Sequence, residues 1–455
     1  PLLVGEALAV HTACPVSPET LLPGEPSSVS ETERLYEGSS KRRTFYFEID
    51  LFNRKGVPMN HPLNLKRQLR CIYLSDFFSG LRITDAVWVA LLAARGFSLL
   101  EIGLAKSIYY TVSLLAEIPS GMAADLFGRK RALVLGGVLV VAYNLLIAFA
   151  PNLFVICLAM ALNALSNALF SGTSSALTYD SLKQAGREQD YIQVSANEYQ
   201  ITNVTNALGS LTSLLHKFLG FSGFYLLSAA FESISALAIT RLEEPIVTET
   251  QASRKQHPLR ELPAQFAQLI QDSLRVLRSC PSVGRLILSS AVISGSNYLS
   301  IMFFQQRLVE LGYPTSLLFL PLLFSNLAAM LGTEWGRRIH LHSFRRFYTL
   351  CALLCGIGCL CVGAAPALVG ILGCMLAEGV LGAWLLHENR LLNDAIPSDQ
   401  RATLISMDNI AYSLLMIPAS PLVGAIGDIF GQAGAGLVLL GLAVALSGLI
   451  VQKQN

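Results

Sequence analysis

Asp76, Arg82 and Asp85, Glu198, Glu378, His387 with Glu388, and Asp408 are ionisable side chains set inside stretches that are otherwise apolar. A carboxyl in such surroundings can take up and release a proton or hold a cation, and a guanidinium can anchor an anion. Other chemistries fail on spacing. "HENRL" at His387 begins like the helix of a zinc protease, but Leu391 stands where HExxH needs its second histidine. Cys351, Cys355, Cys359 and Cys361 follow one another along a single segment with no histidine or carboxylate beside them, so they read as packing residues and not as a metal or redox site. No GxxxxGK[ST] loop occurs, and no nucleophile, base and orienting group stand at a usable spacing. The expectation is a protein that is not an enzyme and needs neither cofactor nor metal.

The elements that must position those charges follow from composition. Of 455 residues, 53% are hydrophobic and 14% charged, too apolar for an ordinary soluble protein. The chain therefore reads as an all-α membrane protein. A net charge of +2 gives no reason to expect a nucleic-acid partner.

Residues 1–65 differ from the rest: "PVSPETLLPGEPSSVSETE" and the basic "SSKRR" show no sustained period and read as a flexible tail without a signal-peptide pattern. Met59 is a candidate natural start, which would make the tail dispensable. From Leu69 onward, apolar runs long enough to span a bilayer recur between breaks of Gly, Pro or charge. They fall at 69–95, 99–121, 130–150, 152–180, 190–216 and 220–241, then at 283–308, 314–335, 344–364, 366–390, 401–427 and 432–451. Twelve spans in two sets of six result, with bundles at 66–241 and 283–455. The linker 242–282 places Leu259, Leu262, Phe266, Leu269, Ile270 and Leu277 at helical spacing, as an amphipathic surface helix would.

Charge gives this map a sidedness. With the N-terminus and the even-numbered turns on one side, all but five of the 33 Lys and Arg residues lie there, the exceptions being Arg82, Arg95, Lys106, Lys217 and Arg307. The side richer in bases is cytoplasmic, so both termini are expected there.

The turn between spans 2 and 3 reads "SGMAADLFGRKRA", Ser120 to Ala132. Gly121-x-x-x-Asp125-x-x-Gly128-Arg129-Lys130 resembles the signature of the major facilitator superfamily, here a twelve-helix member of bacterial type. Leu126 departs from it where the family usually carries a base. "GTEWGRRIHLHSFRR" between spans 8 and 9 repeats the glycines, acid and paired arginines, as two copied halves would. Physically, Gly121 can admit close helix approach and Gly128 a tight turn, while Asp125 can cap the start of span 3 or pair with Arg129. The resemblance implies that Gly121, Asp125, Gly128, Arg129 and Lys130 form a conformational latch bracing span 2 against span 11 when the cytoplasmic side is closed. The expected partner of Asp125 is the region near Pro421 and Gly424 or the turn after it.

The resemblance also implies that spans 1, 4, 7 and 10 line a central cavity. Asp85, the deeper acid of span 1, is the foremost candidate for proton coupling. Arg82 stands three residues away, where it can neutralise Asp85 or anchor an anion. Glu378 is the second coupling candidate, and Asn297, Tyr298, Trp384 and Asp408 are further candidates. Glu198 belongs to a polar face with Tyr199, Gln200, Asn203 and Asn206 that should face the cavity. Tyr109, Tyr110, Phe303 and Phe304 can line the cavity or simply pack. The function expected is alternating-access secondary transport, driven by a proton or other cation. Export of an amphipathic small molecule comes first. Uptake of a polar or anionic metabolite, or a non-transporting receptor on the same scaffold, are the alternatives. A monomer in the plasma (inner) membrane is expected, with the lipid bilayer and a small molecule as its partners.

Overall fold

The computed structural model describes residues 63–84, 88–212, 216–245, 281–339, 343–395 and 401–453. The tail, the amphipathic part of the linker and Asp85 lie outside these residues, as does the side chain of Asp125. The described residues form fourteen α-helices. The first span is broken into α1 (Leu65–Ser79) and α2 (Trp88–Ala94), and the second and third are α3 (Leu99–Phe127) and α4 (Arg129–Ala148). The fourth is broken into α5 (Leu153–Phe170) and α6 (Thr173–Gln184), followed by α7 (Tyr191–Leu211) and α8 (His216–Thr240). Spans seven to twelve are α9 (Pro281–Glu310), α10 (Phe319–Arg338), α11 (Phe344–Ala364), α12 (Ala367–Ala395), α13 (Arg401–Ile429) and α14 (Ala433–Lys453).

Ten of these spans are long and apolar enough to cross a membrane. The two remaining places hold the broken α1–α2 pair and α7, whose polar face lowers its hydropathy. Local chemistry sets the boundaries. Ser98 and Glu101 form a reciprocal capping box that starts α3, and Asn152 accepts from the Val155 amide to start α5. Gly128 ends α3 with φ 96° and starts α4, a left-handed conformation that favours glycine. Gly172, with φ 70°, separates α5 from α6 in the same way.

The apolar core is divided unequally between the two ends of the bundle. Near Leu99, a single cluster joins both sets of six: Leu92, Ile102, Ile156 and Phe224 pack with Met302, Phe303, Met416, Val423 and Leu437. At the opposite end each set keeps a cluster of its own. Ile72, Leu133, Leu177 and Ile239 form one, and Leu286, Phe347, Tyr348, Trp384 and Val444 the other. The two halves are therefore sealed together at the Leu99 end and separately packed at the other.

Candidate functional site

The seal is built on α3 and α13. Pro421 has no N–H, so the carbonyl of Ile417 loses its helical donor. The Ser107 hydroxyl of α3 donates to that carbonyl instead. Small residues admit the close approach: a Cβ on Gly103 would stand 2.7 Å from the Cα of Pro421, and one on Gly424 2.6 Å from the carbonyl carbon of Leu99. At the tip, both carboxylate oxygens of Asp428 cap α3, accepting from the amides of Leu99 at 3.0 Å and Leu100 at 2.7 Å. A second contact between halves comes from the Val89 amide of α2, which donates to Gln305 Oε1 of α9 at 3.2 Å. Ser107→Ala should leave the Ile417 carbonyl without a donor and cost about 1–2 kcal/mol, measured as a lower unfolding temperature in detergent.

Against the tyrosines of the same sealing cluster stands a cation walled by aromatic rings. Lys106 Nζ stands 4.1 Å from the ring centre of Tyr109, 5.0 Å from Tyr298, 5.2 Å from Tyr110 and 5.8 Å from Trp88. Tyr298 belongs to the second half, and Tyr412 of α13 closes the group with its hydroxyl 3.5 Å from that of Tyr110. Asn167 of α5 donates to the Tyr109 hydroxyl at 3.1 Å and to Asn163 Oδ1 at 3.2 Å. Lys106 is partly exposed, and so are Tyr298 and Tyr412. The group presents a positive charge, π-faces, phenolic hydroxyls and amides where five spans converge. Tyr109, Tyr110 and Tyr298 were expected to line a cavity. Lys106 was only a stray base in the charge count, although its spacing of i, i+3, i+4 from the two tyrosines places all three on one helix face.

The remaining candidates fall elsewhere. Trp384 is fully buried and stacked on Phe347 at 5.7 Å, with Phe344 and Tyr348 around it, so its expected place in the cavity is corrected to the core of the second half. Phe303 is likewise fully buried, and Phe304 lines an apolar pocket with Ile301, Leu308 and Leu322. His387 is buried against Phe347 and bonded to the Gly336 carbonyl at 2.9 Å, fastening α12 to α10. Asn297 and Tyr298, adjacent on α9, diverge: Asn297 hydrogen-bonds Glu378 of α12, while Tyr298 joins the Lys106 group. Arg82 is exposed in the break of the first span, where its backbone nitrogen abuts Gly209 of α7.

Two carboxylate pairs stand nearer the unsealed end. Asp76 of α1 faces Glu198 of α7, which accepts from the Thr178 hydroxyl at 2.9 Å. Glu388 of α12 faces Asp408 of α13. Thr178 and Glu198 precede Glu388 and Asp408 by the same number of residues, so corresponding spans of the two halves repeat the contact. The polar face of α7 is divided: Glu198 and Asn206 turn toward neighbouring helices, whereas Tyr199, Gln200 and Asn203 are exposed.

The signature turn closes on its own half. Both carboxylate oxygens of Glu244 cap α4, accepting from the Arg129 amide at 2.7 Å and the Lys130 amide at 2.8 Å. The Arg129 guanidinium pairs with Asp180 of α6 and donates to the Ala176 carbonyl at 2.6 Å. Glu244 was not foreseen, because it lies more than a hundred residues along the chain. Two expectations change. A Cβ at Gly121 would meet nothing within 4 Å, so no close approach depends on it here. Pro421 and Gly424 abut the first residues of α3, more than 20 positions before Asp125 on the same helix and so ~30 Å away, beyond reach of its side chain. Across the halves, Asn409 of α13 donates to Glu117 of α3 at 3.4 Å.

Comparison with known proteins agrees with this architecture. No curated protein matches the sequence significantly. A crystal structure of the nucleoside transporter NupG superposes with a TM-score of 0.65 at 14% identity, covering 86% of this chain and all of the other. A peptide transporter of the POT type, in complex with sulfate, gives 0.61 at 16% identity over 87% of this chain and 95% of that one. At these identities the likeness is one of fold. The sequence profile of the Major Facilitator Superfamily, however, matches residues 73–417, most of the membrane portion. This chain, an all-α membrane protein, thus belongs to the Major Facilitator Superfamily, a family of membrane transporters and not of enzymes.

Proposed function

We propose that the protein is a secondary active transporter that moves an amphipathic small molecule by alternating access, with export coupled to proton entry. The observation that carries this reading is the unequal core: one cluster, which includes the tyrosines around Lys106, joins the halves, and the clusters at the opposite end each belong to one half alone. Residues bridging the halves around a common site can exchange one seal for another, as rocking of two bundles requires. The charge distribution supports an external sealed end and cytoplasmic termini, and with them an inward-facing state. The bundles are 66–241 and 283–455, and the unit is a monomer in the plasma membrane.

Proton coupling rests on the acids of both halves: Asp85 first, with the Asp76–Glu198 and Glu388–Asp408 pairs and Glu378 as supporting sites. Inside-out proteoliposomes acidified within should accumulate a transported compound, and a protonophore should abolish the accumulation. Asp85→Asn should reduce the gradient-driven component by ~10-fold or more while leaving exchange at equal pH intact. Full gradient-driven flux in that variant would remove Asp85 from the coupling role. Accumulation only in right-side-out vesicles would favour the second reading, uptake of an anionic metabolite, for which Lys106 speaks.

A further inference from the structure

We propose that the adjoining ends of α10 and α11 hold an anionic phospholipid, its phosphate against Arg337, Arg338, Arg345 and Arg346 and its acyl chains along the two helices. These helix ends repeat the bases of the signature turn without their neutralisation. In the first half Arg129 pairs with the largely buried Asp180, and Glu244 occupies the amides that begin α4. In the second half Gly336-Arg337-Arg338 repeats Gly128-Arg129-Lys130. The position that corresponds to Asp180, by the spacing that relates Thr178 to Glu388, is Arg390, a base where the first half has an acid. Among the described residues, the acid that pairs with these arginines is Glu334, 3.0 Å from Arg337 and 3.7 Å from Arg338. The two arginine side chains are 68% and 78% exposed, so these pairs are worth little and leave guanidinium donors facing outward. Arg345 and Arg346 form no ion pair among the described residues.

Helix packing brings the four bases together. The His387 ring is bonded to the Gly336 carbonyl at 2.9 Å and stands edge to face with Phe347 at 5.0 Å. Arg337 and Arg338 directly follow Gly336, and Arg345 and Arg346 directly precede Phe347, so both pairs flank one point at the unsealed end. Each pair also tops an apolar stripe. Leu331, Trp335 and Arg338 stand at i, i+4 and i+7 on α10, and Arg346, Leu350 and Ile357 at i, i+4 and i+11 on α11, all of them exposed. Guanidinium forks at the end of exposed apolar stripes match the two parts of a phospholipid, a phosphate oxygen pair and its acyl chains. Trp335 lies one turn from Arg338, at the level where an indole marks the membrane interface. A free phosphate would leave both stripes without a partner. A zwitterionic headgroup would bring an ammonium against four like charges, so the lipid that fits carries net negative charge.

Phosphatidylglycerol and phosphatidylcholine in mixed micelles with the purified full chain test the headgroup, and glycerol 3-phosphate tests the need for acyl chains. Thermal unfolding should show a saturable rise with phosphatidylglycerol, an apparent affinity ~10-fold weaker for phosphatidylcholine, and no rise with glycerol 3-phosphate at the same concentration. Arg345→Gln with Arg346→Gln should weaken the phosphatidylglycerol effect ~10-fold or more, and Arg345→Lys with Arg346→Lys by less. Arg131→Gln with Lys183→Gln, which removes two exposed bases from the same end of the first half, should leave it unchanged. On the unaltered protein, a phosphatidylglycerol with a photoreactive acyl chain should label the peptides around Leu331, Trp335 and Leu350, which decides the question even if a variant is not folded. Equal effects of the two lipids, no effect of either, or an effect of glycerol 3-phosphate that matches the lipid's would each overturn the proposal. An equal loss in Arg131→Gln with Lys183→Gln, or labelling spread evenly over the apolar helices, would reduce the arginines to general surface charge and overturn it as well.

Discussion

Gly424→Val is expected to move the resting population toward the state open at the Leu99 end, the largest conformational effect of any single substitution considered. The new Cβ would stand 2.6 Å from the carbonyl carbon of Leu99 and 2.9 Å from the Leu100 nitrogen. These are backbone atoms of a capped helix and cannot rotate aside. Overpacking of this kind costs about 1–3 kcal/mol, and here it falls only on the state in which α3 and α13 touch, so the population ratio should change by ~5- to 150-fold. Asp428→Ala acts on the same seal by removing the acceptor of two helix-start amides, and should shift the ratio in the same direction by less. Spin labels on Phe154→Cys and Leu368→Cys, exposed positions that begin α5 and α12 at the sealed end, would report the change as a longer distance. Gly121→Val is the control, because a side chain there meets open space. An unchanged distance in Gly424→Val, or an equal change in Gly121→Val, would show that the α3–α13 contact does not hold that end shut.

How far the sequence could be read depended on whether the signal was local. Span boundaries follow from hydropathy and caps, so most of the twelve expected segments agree with the helices within a few residues. The breaks at Gly80–Thr84 and at Ser171–Gly172 were less visible, since hydropathy runs through both while the helices do not. The chemistry of the site was legible in part. Tyr109, Tyr110 and Tyr298 could be picked out as aromatics in apolar runs, but Lys106 was discounted because charge counting treats every base as a marker of side. Trp384 misled for the complementary reason: a large amphipathic ring fits a cavity wall and a core equally well, and only the stacked Phe347 separates the two. The partners of the signature turn, Asp180 and Glu244, needed tertiary structure because neither is near Arg129 in sequence. The same holds for Ser107, whose use is apparent only once Pro421 is seen to leave Ile417 without a donor.

That turn offers the second large effect, on stability and not on population. Arg129→Ala should cost about 3 kcal/mol, as removing one partner of a largely buried ion pair does. The Arg129 side chain is 20% exposed and that of Asp180 11%, so the carboxylate left behind stays largely screened from water. The carbonyl of Ala176 loses one of its donors at the same time. Asp180→Asn should cost less, because an amide can still accept from the guanidinium. The loss should appear as a fall of several degrees in the unfolding temperature in detergent, with the label distance at the Leu99 end unchanged. The two readouts separate a brace within one half from a latch between halves. Here Arg129 holds α4 to α6 within the first bundle, and Glu244, in the chain that directly follows α8, holds the start of α4. A longer or shorter distance at the sealed end, with no loss of stability, would mean that Arg129 acts across the halves after all. A stability loss alone would leave any cross-half role of the signature to a state in which the unsealed end is closed.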